Sequence, residues 1–396
     1  MMEEPIRAIR VNHDPAFDSA RLEPFSPAAA EKVMAFHRSF PEYTPTPLWE
    51  LKNLSRDLGV AGIYVKDESY RFGLNAFKVL GGSRAIGRWI AKALGEDPAD
   101  LPCERLVSDE IRRKLGEVTF VTATDGNHGR GVAWTARRLG QKSVIYMPAG
   151  TARERLDNIR ALGADASIPG PGYDDCVRLA AKHARERGWV LTQDTSWEGY
   201  EEIPGWIMEG YTTMAAEAAA QLHGVRPTHV ILQAGVGSMA GAVAAYFTVL
   251  YGSNRPTILI TEPHAANCVF RSAEAGDGKI RTVTGPMPTM MAGLACGEPC
   301  PLAWEILRGC ADVFFSVPDS TAARGMRALG MPLNADPAII SGESGASGFG
   351  TILDLLTDPS LRALRDMAGL DSRSRVLCFS TEGATDRTNY ARVMGG

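Results

Sequence analysis

The sequence predicts an α/β protein in which a mostly parallel sheet is covered by helices on both faces. Two observations predict it. Short β-rich runs alternate with longer alanine-rich helical runs, the order that sets parallel strands side by side with helices as their crossovers. Glycine turns also stand between strand-like and helix-like runs, at Gly126–Gly129 and again at Gly235–Gly237. Taken along the chain, the predicted strands fall at 62–66, 118–122, 143–147, 190–192, 229–233, 257–261, 313–316 and 376–379. Helical patterns lie between them, among them 130–139, 152–162, 174–187 and 211–222. In sheets of this kind, ligands gather at loops beyond the C-terminal strand ends.

The bulk composition narrows the function classes. The chain has 396 residues, 45% hydrophobic and 22% charged, with a net charge of −4. That length holds two or three domains' worth of core, and the mild acidity favours neither nucleic acid nor an anionic membrane as partner. Seven scattered cysteines without a CxxC pair read as reduced and cytoplasmic. A Cys268–Cys296 bridge is conceivable, but spacing does not decide it. The seven histidines form no HExxH or similar pair, so no metal site is argued. The start, MMEEPIRAIRVNHD, carries acids and lacks an apolar stretch, unlike a secretory signal. Residues 228–254 are uncharged and long enough to span a bilayer, but Gln233, Gly235, Gly237, Ser238 and Gly241 interrupt them. A buried strand, a glycine turn and a buried helix account better for that stretch.

Four stretches carry candidate chemistry. In GIYVKDESYRFGLNAFKVLGG, residues 62–82, a predicted strand leads through Gly73 to Lys78 at a helix start. The helix dipole and the apolar neighbours Ala76, Phe77, Val79 and Leu80 both favour a neutral amine there, which is the form that attacks a carbonyl. The competing reading is a snorkelling surface lysine. In VTFVTATDGNHGR, residues 118–130, backbone amides after the strand make a concavity suited to a carboxylate. Asn127 offers a neutral amide; His128 is a ligand, a base or a structural histidine; Asp125 is either an acid at the site or a helix cap.

The third stretch, HVILQAGVGSMA, residues 229–240, reads as strand, glycine loop and helix start, a phosphate cradle. It also fits GxGxxA, and Glu262 ends the next strand where a dinucleotide ribose needs an acid. Alone, this motif supports a nicotinamide oxidoreductase as well as it supports pyridoxal phosphate. The fourth, VLCFSTEGATD, residues 376–386, ends a strand in Ser380 and Thr381. A hydroxyl facing a pyridine nitrogen leaves the ring largely unprotonated; the plain alternative is a turn. Ser344 and Ser347 sit in SGESGASGFG, which lacks a GxSxG elbow.

In this order and context the four stretches resemble the β-family (fold type II) pyridoxal-phosphate enzymes. TPTPL at 44–48 looks like that family's entry motif, IYVKDES with AFK like its cofactor-lysine region, TDGNHG like its S-x-G-N-H loop, AGVGS like its phosphate loop, and FSTEG like its final strand end. The resemblance runs from about residue 40 to the C-terminus. Within the family it is closest to the diaminopropionate ammonia-lyases, through NAFKVLGG, ATDGNHGRGVAW, QDTSWEGYEEIPGWIMEGY and TMMAGLACGEP. Threonine and serine dehydratases usually carry a serine before the Phe-Lys pair, a small residue where Asp125 stands, and Ala-Asp-Gly where this chain has Met291-Ala292-Gly293.

The resemblance implies two doubly wound, mostly parallel sheets with the cofactor in the cleft between domains. The large domain would comprise residues 1–84 and 170–396, and a small mobile one residues 85–169. Lys78 would carry pyridoxal 5'-phosphate as a Schiff base, and Asn127 would bond its phenolic oxygen. Gly235, Val236, Gly237, Ser238 and Met239 would hold its phosphate, and Thr381, or else Ser380, would face its ring nitrogen. Thr124 and the amides of Gly126, Asn127 and His128 would hold the substrate carboxylate. Asp125 and Lys78 would take the α-proton from D- and L-substrates, and Asp194 would meet the β-ammonium. The implied reaction is loss of ammonia from 2,3-diaminopropionate to aminoacrylate, then pyruvate and a second ammonia, in a cytoplasmic homodimer. Another β-eliminase, of the dehydratase or D-cysteine desulfhydrase type, is the nearest alternative.

Overall fold

A computed structural model describes residues 4–13, 17–170, 172–333 and 335–395. The strands are, in chain order, β1 Arg7–Arg10, β2 Leu48–Glu50, β3 Gly62–Asp67, β4 Thr119–Ala123, β5 Lys142–Pro148, β6 Asp165–Gly170, β7 Val190–Leu191, β8 His229–Gln233, β9 Thr257–Pro263, β10 Val313–Val317 and β11 Arg375–Ser380. They form two sheets. One has seven strands in the order β1-β10-β9-β8-β11-β3-β2, and the other four in the order β6-β5-β4-β7.

The seven-stranded sheet is parallel throughout its interior, with an antiparallel strand at each edge: β1 on β10 and β2 on β3. The central strands explain why. Every residue of β8 and β10 is buried, as expected for strands covered on both faces. Their short apolar runs, VIL in β8 and VFF in β10, are what made them legible in sequence. The edge strands are short and carry charge (RAIR, LWE), so neither period nor composition marked them. A core of Ile63, Val65, Ile231, Leu259, Val313, Phe315 and Val376 lies against Phe349 and Ile352 of the Glu343–Thr357 helix. That helix packs tightly on helix Asp319–Gly330, because a Cβ on Gly350 would lie 2.2 Å from the Thr321 carbonyl oxygen.

The four-stranded sheet is fully parallel. Its alternation serves two faces. Val121, Ala123, Val144 and Tyr146 pack with Cys176, Ala180 and Ala184 of the Tyr173–Arg187 helix. The residues between them point the other way: the Phe120 ring lies 5.5 Å from that of Trp89, and the Ile145 side chain abuts Gly129. β6, DASIPG, was missed in sequence because Asp165 and Pro169 do not read as strand; Pro is tolerated there because β6 is an edge.

The chain falls into two compact units, residues 1–27, 46–70 and 214–396 in one, and 28–45 and 71–213 in the other. The smaller unit is therefore larger than 85–169. Residues 71–84 and 170–213 belong to it because helix Val79–Leu94 packs along helix Asn127–Arg138, and helix Tyr173–Arg187 along the four-stranded sheet. Residues 228–254 form β8, a glycine turn and helix Ser238–Tyr251, and among the described residues no helix is long and apolar enough to cross a membrane. All seven cysteines, Cys268 and Cys296 included, are thiols.

Candidate active site

In the unit that contains the four-stranded sheet, the site is built on Lys78. The residue occupies the N-cap position of helix Val79–Leu94. Glycines set its place. A Cβ on Gly131 would come 2.7 Å from the Val79 Cα, and one on Gly210 would come 2.3 Å from the Leu80 carbonyl oxygen. Two neighbouring helices thus reach the Lys78–Leu80 backbone at distances no side chain allows. Gly81 serves the same fit, facing Ile207 and Tyr211 at 2.7 Å.

The Lys78 side chain is 17% exposed, and its Nζ donates to Asp194 Oδ2 at 2.8 Å. Asp194 Oδ1 accepts from the Tyr173 hydroxyl at 3.2 Å and from Gln193 Nε2 at 3.1 Å. Gln193 is itself fixed, its Oε1 accepting from the Ala123 amide at 2.9 Å and the Thr122 hydroxyl at 3.0 Å. Tyr173 and Gln193 were not singled out in the sequence; nothing but adjacency to Asp194 hinted at Gln193, and Tyr173 arrives from a separate helix.

Electrostatics correct one expectation. Burial alone would drive Lys78 toward the neutral amine, but the fields of Asp194, Asp125 and Tyr211, with the hydrogen bond to Asp194, outweigh it. Its pKa lies above the ordinary lysine value, so without a cofactor the side chain is an ammonium rather than the free base expected from the dipole and desolvation. Burial opposes charge on Asp194 too, yet the Lys78 ammonium and the hydrogen bonds from Lys78 and Tyr173 hold its carboxyl well below the usual range. The other lysine of the motif, Lys66, is fully buried in the other unit, with its Nζ held by the Thr46 carbonyl, Glu217 Oε2 and Gln221 Oε1 at 2.7–2.8 Å. That residue is an internal structural cation.

The loop after β4 folds around Thr124, whose Oγ1 accepts from the Gly126 amide at 2.9 Å and the Gly129 amide at 3.1 Å. Both lone pairs are used, which leaves the hydroxyl proton to donate. The same bond commits the Gly126 amide and takes it out of the set expected to hold a carboxylate. Gly126 has φ +153°, a backbone that favours glycine. Asn127 is half-buried and opens helix Asn127–Arg138. His128 is buried, and its Nε2 lies 2.7 Å from the Thr192 carbonyl. A carbonyl only accepts, so Nε2 carries the proton and Nδ1 presents a lone pair 3.8 Å from Asp194 Oδ2. Burial lowers its pKa, which keeps the ring neutral. Both His128 Nδ1 and Asp125 Oδ2 are buried acceptors without a hydrogen-bond donor, although Arg155 stands 3.7 Å from the latter. Buried acceptors ordinarily find donors.

The unit with the seven-stranded sheet holds the glycine loop and the final strand end. β8 passes through Ala234–Gly237 into helix Ser238–Tyr251. Gly237 has φ +93° and no side-chain cap, and a Cβ on Gly235 would press on Cys296 Sγ, the Gly293 carbonyl and Leu294 Cα at 3.2 Å. The segment TMMAGLACGEP is what lies against the loop. Val236, Ser238 and Met239 are buried, at a helix N-terminus that no side chain caps, the kind of place a phosphate occupies. Thr381 and Ser380 are both buried; Ser380 Oγ bonds Ser341 Oγ at 2.8 Å, while Thr381 Oγ1 accepts from Gln233 Nε2 at 2.8 Å.

Two rival readings lose their residues here. Glu262, the acid a dinucleotide ribose needs, is buried and accepts from the Val269 and Phe270 amides, capping helix Cys268–Ala275. Burial pushes its carboxyl up to about 8, unlike an exposed acid awaiting a ribose. Ser344 and Ser347 are buried within helix Glu343–Thr357.

A lysine amine on a helix start, a carboxylate-rich α/β unit beside it in sequence, and a glycine loop leading into a helix N-terminus that no side chain caps define the class: an α/β enzyme equipped for pyridoxal phosphate. The comparisons agree. The pyridoxal-phosphate dependent enzyme family model matches residues 40–365, and the chain belongs to that family. A diaminopropionate ammonia-lyase of Salmonella typhimurium is 50% identical over 367 residues, 92% of this chain and 91% of that protein. The crystal structure of selenomethionine-incorporated holo diaminopropionate ammonia-lyase from Escherichia coli superposes with TM-score 0.90 at 46% identity, covering 100% of this chain and 97% of that one. The same E. coli enzyme in complex with an aminoacrylate–PLP azomethine reaction intermediate matches with TM-score 0.87 at 45% identity, covering 99% and 97%.

Proposed function

We infer that this chain is a pyridoxal-phosphate ammonia-lyase that eliminates ammonia from 2,3-diaminopropionate to yield pyruvate and two ammonias. The family and the relatives support the reaction class. One observation in the chain itself supports the substrate: Asp125 Oδ2, which has Arg155 at 3.7 Å, and His128 Nδ1 are buried acceptors that receive no hydrogen bond, beside a lysine whose cation Asp194 already neutralises. A diamino acid brings an extra ammonium that such acceptors satisfy, whereas serine or threonine brings a neutral hydroxyl.

The residues present fit the cofactor. Lys78 would hold its aldehyde carbon, residues 235–239 its phosphate, Asn127 its phenolic oxygen and Thr381 its ring nitrogen. When bound, pyridoxal phosphate supplies the electron sink that makes an amino acid's α-proton removable. The protein does the rest. Thr124 offers its hydroxyl proton, and the amides of Asn127 and His128 their N–H groups, to the substrate carboxylate. Asp125 removes the α-proton of the D-isomer, and the Lys78 amine that of the L-isomer. Asp194 then has two tasks, holding Lys78 in place and attracting the β-ammonium. A second copy of the chain as partner, and a cytoplasmic location, fit this role.

Ammonia and pyruvate release from both diaminopropionate isomers, against serine, threonine and D-cysteine, tests the substrate. Turnover of a hydroxy-amino acid in place of the diamino acid would sink the assignment. Borohydride reduction and peptide mapping test the anchor: the pyridoxyl group is expected on Lys78 and on no other lysine.

A further inference from the structure

Gln233 is the last residue of β8, immediately before the glycine loop, and is 2% exposed. Its amide is locked. Nε2 donates to the Phe379 carbonyl at 2.9 Å and to Thr381 Oγ1 at 2.8 Å, with the Gly345 carbonyl at 3.4 Å. Oε1 has no hydrogen-bond partner and lies against Gly348, where a Cβ would approach it to 3.1 Å. Turning the amide over would set Oε1 against two main-chain carbonyls, so the observed orientation is the one the surroundings permit. An amide nitrogen only donates and a hydroxyl has a single proton. With Nε2 donating to it, Thr381 Oγ1 cannot donate back, and its proton points elsewhere.

We propose that Gln233 is a positioning residue that fixes the polarity of the Thr381 hydroxyl, compelling it to donate to the cofactor's ring nitrogen and so holding that nitrogen unprotonated. The inference rests on the reading that Thr381 faces the ring. Its chemical consequence is specificity: a ring nitrogen without its proton is a weaker electron sink. With that weaker sink, loss of the β-amine would be favoured over racemisation and transamination. The sequence signal was the amide in HVILQAG, which is unexpected at the buried end of an apolar strand.

The test reads the ring nitrogen directly, by 15N NMR of holoenzyme loaded with 15N-labelled pyridoxal phosphate. The wild-type resonance is expected at the unprotonated position across neutral pH. Gln233→Glu reverses the polarity, since the introduced carboxylate takes the Thr381 proton, and the resonance should move to the protonated position. Gln233→Met, which removes the donor without adding an acceptor, should move it part of the way. It decides the matter if Gln233→Glu does not fold. Thr381→Val separates the two layers of the argument. A resonance that Thr381→Val moves, but neither Gln233 variant moves, overturns the role of Gln233 and leaves Thr381 in place. A resonance indifferent to Thr381→Val overturns the placement of Thr381 itself. A wild-type nitrogen found protonated overturns the proposal outright.

Discussion

Two influences compete at the Lys78 amine: burial disfavours its charge, and the neighbouring carboxylates favour it. The carboxylates win. Replacing Asp194 with Asn removes the nearest of them, so the Lys78 pKa should fall; in cofactor-free protein the midpoint pH for labelling of Lys78 by an amine-reactive reagent should shift downward. An unmoved midpoint would show that Asp194 does not set the charge. The other carboxylate has a different expected signature. Asp125→Asn should abolish turnover of D-diaminopropionate while sparing more of the L-isomer activity, on the order of the 10²–10⁴-fold that a positioned base supplies. Equal losses for the two isomers would refute the division of labour between Asp125 and Lys78. These residues were legible in sequence as chemistry-bearing types at strand ends. Their mutual charge balance was not, because it depends on 2.8 Å between residues 78 and 194, which are far apart in the chain.

Among the elements, the helix that begins at Lys78 owes its place to missing side chains. Gly131→Ala would drive a methyl into the Val79 backbone, and such overpacking costs on the order of 1–3 kcal/mol. The expected result is a lower melting temperature together with weaker cofactor retention, since the displaced atoms adjoin Lys78. Gly205, in helix Glu202–Gln221, meets nothing within 4 Å; Gly205→Ala should be neutral or stabilising by up to about 1 kcal/mol, and serves as the control. The strands with short apolar runs were predicted close to their observed limits, because burial on both faces leaves a compositional mark. β1, β2 and β6 escaped prediction because edge strands need little apolar surface.

For the molecule as a whole, Asp312 ties the start of β10 to the start of β9 in the larger sheet. It accepts from Arg255 through both oxygens at 2.8 Å, from the Ile258 amide at 2.7 Å, and contacts His13 at 3.1 Å. Burial would raise its pKa, but the His13 and Arg255 hydrogen bonds bring it down to about 2. A carboxyl depressed in the folded state contributes stability above its unfolded value, near 4, and loses it as pH falls toward 2. The difference is worth about 2 kcal/mol at neutral pH. Denaturant titrations should therefore show Asp312→Asn less stable by roughly that amount at pH 7, with the gap closing between pH 4 and 2. A gap that persists at pH 2 would mean that packing rather than charge is responsible.

The amino-acid sequence by itself determined the α/β class, the central strands, a lysine at a helix start and the glycine loop, because periodicity, burial pattern and glycine spacing are local properties. Tertiary structure alone decided the rest. It assigned Glu262 to a helix cap and Ser380 to Ser341, brought Tyr173 and Gln193 to Asp194, and made Lys78 a cation. Hydrogen-bond direction and charge depend on which groups meet across the fold, and no local pattern in a chain encodes that.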